Sequence, residues 1–227
     1  MHKQISSAQN SIIKSLVVLG EKSKARKQSG TFIVEGRREL SLALQGGYQL
    51  VQVFYYKDLL PPSFDVTEFK ADSYIEVSKE VYEKIAYRAT TEGVLAVVND
   101  KSMCLKDLKF NTKTPLILVA EAPEKPGNIG AMLRTADAAN VDAVLIANPK
   151  TDMFNPNIIR SSVGCLFTTQ IATGTTQEIL AYLKEHQVAT YAAALKEDSE
   201  YYHHQNFTES TALIVGTEAV GLSDEWL

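Results

Sequence analysis

One stretch of the chain constrains the fold more than any other. The apolar run Pro115-Leu116-Ile117-Leu118-Val119-Ala120 leads through the turn-rich residues 121–127 into Asn128-Ile129-Gly130-Ala131-Met132-Leu133-Arg134-Thr135-Ala136. A short apolar run bounded by turn residues reads as a buried strand, and the segment after it as a helix. Strand, loop and helix in that order form the repeating unit of an open α/β sheet, whose ligands gather at the carboxyl ends of the strands. Asn128 stands where an N-cap would stand, its side chain placed to accept from the free N–H groups of the first turn. Gly130 lets a backbone or a ligand come close. Arg134 falls inside the helix, and an arginine close to burial beside a glycine loop calls for an anion. The competing reading is an ordinary arginine on an α/β helix. The spacing is neither the G-x-G-x-x-G dinucleotide fingerprint nor a phosphate loop ending in Gly-Lys-Ser/Thr.

The second half of the chain continues the alternation. Strands are expected at Ala143–Ala147, around Thr168–Ala172 and at Ala189–Ala194, with a helix from Thr176 to His186. Leu213–Val215 runs into a second glycine loop, Gly216-Thr217-Glu218-Ala219-Val220-Gly221, which holds one acid. This pattern argues for a mostly parallel sheet covered on both faces.

Residues 1–105 read as a separate module. The segment Ser7 to Leu19 has helical apolar spacing, and Lys22 to Gly30 is a basic loop or helix end. Thr31–Glu35 is a strand, Arg37–Gln45 a helix closed by Gly46-Gly47, and Leu50–Tyr56 a strand broken at Pro61-Pro62. Ser78 opens a further helix and Gly93–Val98 forms a last strand. Asp100–Thr114 is polar, and residues 106–114 are read as the linker to a second domain at 115–227. With 45% hydrophobic residues the chain can bury a sizeable core.

Charge is uneven. The whole chain carries −4, yet residues 1–40 hold eight Lys and Arg against three Glu. A local basic excess is the usual footprint of phosphate binding, with a solvated helix face as the alternative. Cys104 and Cys165 lack metal-ligand spacing, and no Cys or acid cluster frames His203-His204, so no metal is expected. No apolar run of membrane length and no secretory leader are present, which makes the cytoplasm the expected compartment.

Three segments together resemble the signature motifs of the SpoU (TrmH-like) RNA 2′-O-ribose methyltransferases of the SPOUT superfamily. They are Asn128 through Ala136, Asn155-Pro156 through Arg160-Ser161-Ser162-Val163-Gly164, and Ala212 through Leu222. In the first module, Asn10, Lys14, Lys24, Arg26, Val34-Glu35-Gly36 and Glu92-Gly93-Val94-Leu95-Ala96 resemble that family's substrate-binding domain. The resemblance implies an α/β fold, with a small RNA-binding sandwich before a mostly parallel sheet that contains a trefoil knot. It implies S-adenosylmethionine as methyl donor, a ribose 2′-hydroxyl of RNA as acceptor and a homodimer. The acceptor is expected in ribosomal RNA of the 23S type. A tRNA-directed enzyme and a noncatalytic RNA-binding protein of the same fold are the alternatives.

By the same resemblance Arg134 and Asn128 are catalytic, while Gly216, Ala193 and Glu218 bind the donor. Lys14, Lys24, Arg26, Arg160, Ser161 and Ser162 contact RNA. Arg134 either acts as the base or, since a guanidinium is a poor general base, anchors phosphate and stabilises the alkoxide. The family's third motif, an apolar-Pro-Met run with Ser-Leu-Asn, does not follow Gly221 in this chain, which ends at Leu227. The knot and the donor pocket are therefore expected to be incomplete in these residues.

Overall fold

The computed structural model describes residues 2–87, 92–197 and 199–227. These form two compact units, one of residues 1–101 with 153–168, the other of residues 102–152 with 169–227. A division by sequence at 106–114 differs from this in two places. The polar stretch after 101 joins the second unit because Leu105, Leu108 and Phe110 pack on its core. The motif segment around Arg160 joins the first unit because aromatic rings hold it there.

The first unit is a mixed sheet with helices. Its strands β1 (His2–Ile5), β2 (Thr31–Glu35), β3 (Leu50–Tyr55), β4 (Ala71–Val77) and β5 (Val94–Asn99) lie in the order β1-β4-β3-β5-β2. Strands β1, β4 and β3 are parallel, and β5 runs antiparallel to both β3 and β2. Helix α1 (Ser11–Glu21) starts later than its apolar spacing alone implies. The Asn10 side chain accepts from the Ile12 N–H at 2.9 Å and caps it. The basic segment after it is a helix of its own, α2 (Ser23–Ser29), ended by Gly30 at φ 62°. Two further helices follow, α3 (Arg37–Gln45) and α4 (Lys79–Ile85).

Ile13, Leu16 and Leu19 of α1 meet Val81, Tyr82 and Ile85 of α4 over Phe54, Ile75, Leu95 and Val97 of the sheet. Strand alternation gives β2 two faces. Ile33 joins this cluster, while Phe32 stacks on Phe154 at 4.2 Å between ring centroids. Helices α6 (Pro156–Ser162) and α7 (Cys165–Thr168) follow Phe154 in the chain. Phe167 also lies against Tyr48, with centroids 5.2 Å apart. Helix α6 covers β2, which would otherwise expose an unpaired sheet edge.

The second unit is a parallel sheet. Its strands are β6 (Leu116–Glu121), β7 (Ala143–Ala147), β8 (Ile171–Gly174), β9 (Ala189–Ala192) and β10 (Thr211–Val215), in the order β8-β7-β6-β10-β9. All four pairings are parallel. Helix α5 (Pro126–Ala138) crosses from β6 to β7, and α8 (Thr176–Glu185) from β8 to β9. Ile179 and Leu183 of α8 pack on Ile117, Val119, Leu145, Ala212 and Ile214, with Trp226 at the margin of the cluster. The capping box at Thr175 and Glu178 sets the start of α8.

Candidate functional site

The strand order reverses at β6. From β6 the chain builds outward through β7 and β8, then returns to the other side of β6 with β9 and β10. Such a reversal leaves a crevice at the carboxyl ends of the two strands where it occurs. Ala120 and Val215 are register partners at those ends. The loop after each strand is one of the two glycine loops singled out in the sequence. Together they enclose a cavity of about 480 Å³ lined by Pro123, Lys125, Asn128, Met132, Gly216 and Glu218, among others.

The loops are tied together by one carboxylate. Glu218 accepts from the Asn128 amide and from the Lys125 ammonium, both at short range. The hydrogen bonds from Lys125 and Asn128, with the Lys125 charge, hold the Glu218 carboxyl below its ordinary value. Glu218 in turn raises the Lys125 ammonium above its own. The pair is open to solvent, with side chains 68% and 64% exposed, so water screens much of its attraction.

Asn128 is not an N-cap. Lys125 occupies that position, Pro126 begins α5, and Asn128 lies within the first turn. Proline suits the first helical position because the missing N–H has no partner there in any case. Asn128 is thus released from capping, and its amide donates across to Glu218.

Gly216 sits against its own loop. A Cβ there would overlap the backbone of Gly221 and the Leu222 nitrogen. The cause is the closed turn that follows, in which Thr217 and Gly221 exchange backbone hydrogen bonds of 3.0 and 3.1 Å. Gly221 takes φ 72°, a turn conformation that glycine adopts without strain.

Arg134 is exposed, contrary to the near-buried position its sequence context implies. It lies beyond the lining residues, three positions after Ala131 and so close to the same row of α5. Ala193 is exposed just past β9, its N–H on the Ile214 carbonyl at 2.8 Å. It is not among the residues that line the cavity, because β10 lies between β9 and the crevice.

The expected RNA contacts fall in the first unit. Lys14 and Lys24 are exposed on α1 and α2. Arg26 is buried, and its guanidinium donates to the carbonyls of Leu19 and Gly20 at 2.8 and 2.9 Å, closing the end of α1. Arg160 is exposed in the last turn of α6, not at a helix start. The Ser161 hydroxyl donates to the Asn157 carbonyl at 2.6 Å. Ser162 is fully buried and donates to the Ile159 carbonyl at 3.0 Å, so it serves the packing of α6 and offers RNA no surface.

Sequence reasoning missed two participants. Lys125 adjoins the Asn128 motif, and its position before Pro126 was the available signal. Glu121 closes β6 and is buried. It accepts from the Ser223 N–H at 2.8 Å, the Ser223 hydroxyl at 2.7 Å and the Thr176 hydroxyl at 3.1 Å. Burial pushes the Glu121 carboxyl up, and these hydrogen bonds bring it below its ordinary value. Nothing local in the sequence marks that network, which joins residues more than fifty positions apart. Among the described residues, no group of His, Cys, Asp and Glu is arranged to hold a metal. Among the same described residues, no helix is long and apolar enough to cross a membrane.

Residues 115–227 match the model of the SpoU rRNA Methylase family, and residues 10–96 that of an MRM3-like substrate binding domain. Over 220 residues the chain is 30% identical to the 23S rRNA (guanosine(2553)-2′-O)-methyltransferase RlmP of Bacillus subtilis, spanning 97% of this chain and 84% of that protein. A crystal structure of an RNA 2′-O ribose methyltransferase superposes with a TM-score of 0.80 at 33% identity, covering 98% of this chain and 85% of the other. The fold is also that of an AdoMet-bound rRNA methyltransferase from Sinorhizobium meliloti, with a TM-score of 0.84 at 24% identity over 99% and 84% of the two chains.

Proposed function

The chain belongs to the SpoU rRNA methylase family, and on that premise we propose that it methylates a ribose 2′-hydroxyl of 23S-type ribosomal RNA with S-adenosylmethionine as donor. The observation that carries this reading is the crevice at the strand-order reversal, where Glu218 ties the loop of β10 to Lys125 and Asn128 of the loop and helix after β6. The relatives named for 2′-O-methylation of RNA support the choice of acceptor atom. The donor-bound structure of the Sinorhizobium protein supports the choice of donor.

The cavity fits a ligand of nucleoside size, since small-molecule sites span roughly 300–1,000 Å³. Pro123, Ala131 and Met132 offer apolar walls, and Asn128, Thr217 and Glu218 supply polar groups. When bound, the donor supplies a methyl group already activated on a sulfonium. What remains for the protein is to align the acceptor hydroxyl and to ease the loss of its proton.

Asn128 and Glu218 hold the two loops in one arrangement. A guanidinium offers a planar fork of N–H donors, which suits Arg134 to hold the adjacent phosphate and to stabilise the developing alkoxide. The proton then leaves to phosphate or water. The homodimer and the cytoplasmic location expected from the family resemblance belong to the same proposal.

The test combines calorimetry of S-adenosylmethionine binding with a cleavage assay. A ribose methylated at O2′ lacks the nucleophile for alkaline cleavage, so the modified linkage persists in alkali-treated 23S rRNA. Arg134→Ala is expected to bind the donor as the parent does and to transfer methyl about 100-fold more slowly. Donor binding without an alkali-resistant linkage in any ribosomal RNA would overturn the assignment of the acceptor.

A further inference from the structure

We propose that the first unit carries a separate RNA subsite, a pocket that receives one unstacked nucleotide of the strand. It rests on the reading of the protein as an RNA-modifying enzyme, but not on the chemistry at the strand-order reversal. The pocket has a volume of about 550 Å³ and is built from α1, the start of α2, β2, the end of α4 and α6. All of its lining residues belong to the first unit.

Its walls have two characters. Leu16, Val17, Ile33, Ile85 and Ile159 supply an apolar interior. Lys22, Lys84 and Arg160 stand at the rim as exposed cations, with Glu21 as an exposed countercharge. Deeper lie two charged side chains that are almost wholly buried, Arg26 at 5% exposure and Glu35 at 8%. Both are held in place. Arg26 is fixed by the Leu19 and Gly20 carbonyls, and a Glu35 oxygen accepts from the Tyr87 N–H at 2.7 Å. Tyr87 itself lines the pocket while 53% exposed, which leaves part of its ring available for stacking.

This combination matches a nucleotide. A base needs apolar and aromatic surface for its faces and fixed polar groups for its edge, and its phosphates need cations at the mouth. The four cations of the lining outnumber its two carboxylates, which favours a polyanion. A stacked duplex presents no base that could enter a concavity of this size, so the strand must be unpaired where it binds. Strand β2 explains how the site arises. Its alternation turns Phe32 to the stack with Phe154 that anchors α6, and turns Ile33 and Glu35 into the pocket that α6 lines with Arg160.

The test uses the full chain and three probes. These are a single-stranded RNA of about twelve nucleotides carrying 2-aminopurine, the same strand in a duplex, and free AMP. The parent is expected to prefer the single strand and to change the 2-aminopurine fluorescence. Tyr87→Ala removes the stacking ring and Val17→Trp fills the pocket. Each is expected to weaken single-strand binding about tenfold, with S-adenosylmethionine affinity unchanged. Single-strand binding equal to the parent's in both variants would overturn the pocket. So would a preference of the parent for the duplex, or free AMP binding as tightly as the strand. The two readings fail separately. Loss of strand binding in the variants supports the pocket even if the parent transfers no methyl group. Methyl transfer by variants that bind the strand normally removes the pocket alone.

Discussion

At the residue scale the site depends on one carboxylate. Glu218 is ionised, accepts from Lys125 and Asn128, and so sets the separation of the two loops. Its pKa is depressed from the ordinary 4.5, so the contact is intact above that value and disappears as pH falls through the depressed one. The Lys125 pKa is raised from 10.5, so that partner holds until pH rises above its ordinary range. Donor affinity should therefore be level across neutral pH and fall only in acid. Glu218→Gln should weaken it about tenfold at pH 7 and abolish the acid limb, as calorimetry across pH would show. An acid limb preserved in Glu218→Gln would place its origin elsewhere. The sequence marks Asn128, Gly216 and Glu218 as candidate site residues because they sit in recognisable motifs. It does not show that Asn128 faces Glu218 across ninety residues, since that pairing needs the parallel register of β6 and β10. Arg134 is exposed for a related reason: the phase of its helix against the sheet, not its neighbours in sequence, decides which side it presents.

At the element scale, backbone space limits substitution more than side-chain chemistry does. Gly46 caps α3, and a Cβ on it would overlap the Phe167 carbonyl oxygen. Gly46→Ala should destabilise the protein by about 1–3 kcal/mol, measured by urea unfolding, because a backbone atom cannot rotate away. An unchanged midpoint would mean that α3 and α7 separate more easily than their packing implies. The elements themselves were readable wherever period and caps agreed. Helix α3 follows from its glycines, and α4 from Ser78. Strands β1 and β4 carry little signal in the sequence, because β1 has only four residues and β4 alternates weakly. Helix α2 reads in the sequence only as a basic loop or helix end because it has few apolar residues, and its burial rests on Arg26.

At the scale of the whole molecule, contacts between distant segments decide which piece belongs to which unit. Glu121 draws Ser223 and Thr176 to the end of β6, so the segment after the second glycine loop is held by a buried, hydrogen-bonded carboxylate. Its depressed pKa contributes stability above the ordinary carboxylate range that is lost as pH falls through the folded value. Glu121→Gln should cost about 1–3 kcal/mol at pH 7 and flatten the acid side of the stability profile in thermal unfolding. An equally steep acid profile in the variant would show that other carboxylates dominate. The sequence by itself determined the α/β class, the strand–loop–helix unit and the two glycine loops, because period, capping and turn chemistry act over a few residues. Only the tertiary structure decided that Glu218 closes on Asn128 and Lys125, that Ser162 and Arg26 are buried, and that the Arg160 segment packs with the first unit. Those outcomes depend on sheet order and on apolar and aromatic packing between segments far apart in the chain, which no local pattern encodes.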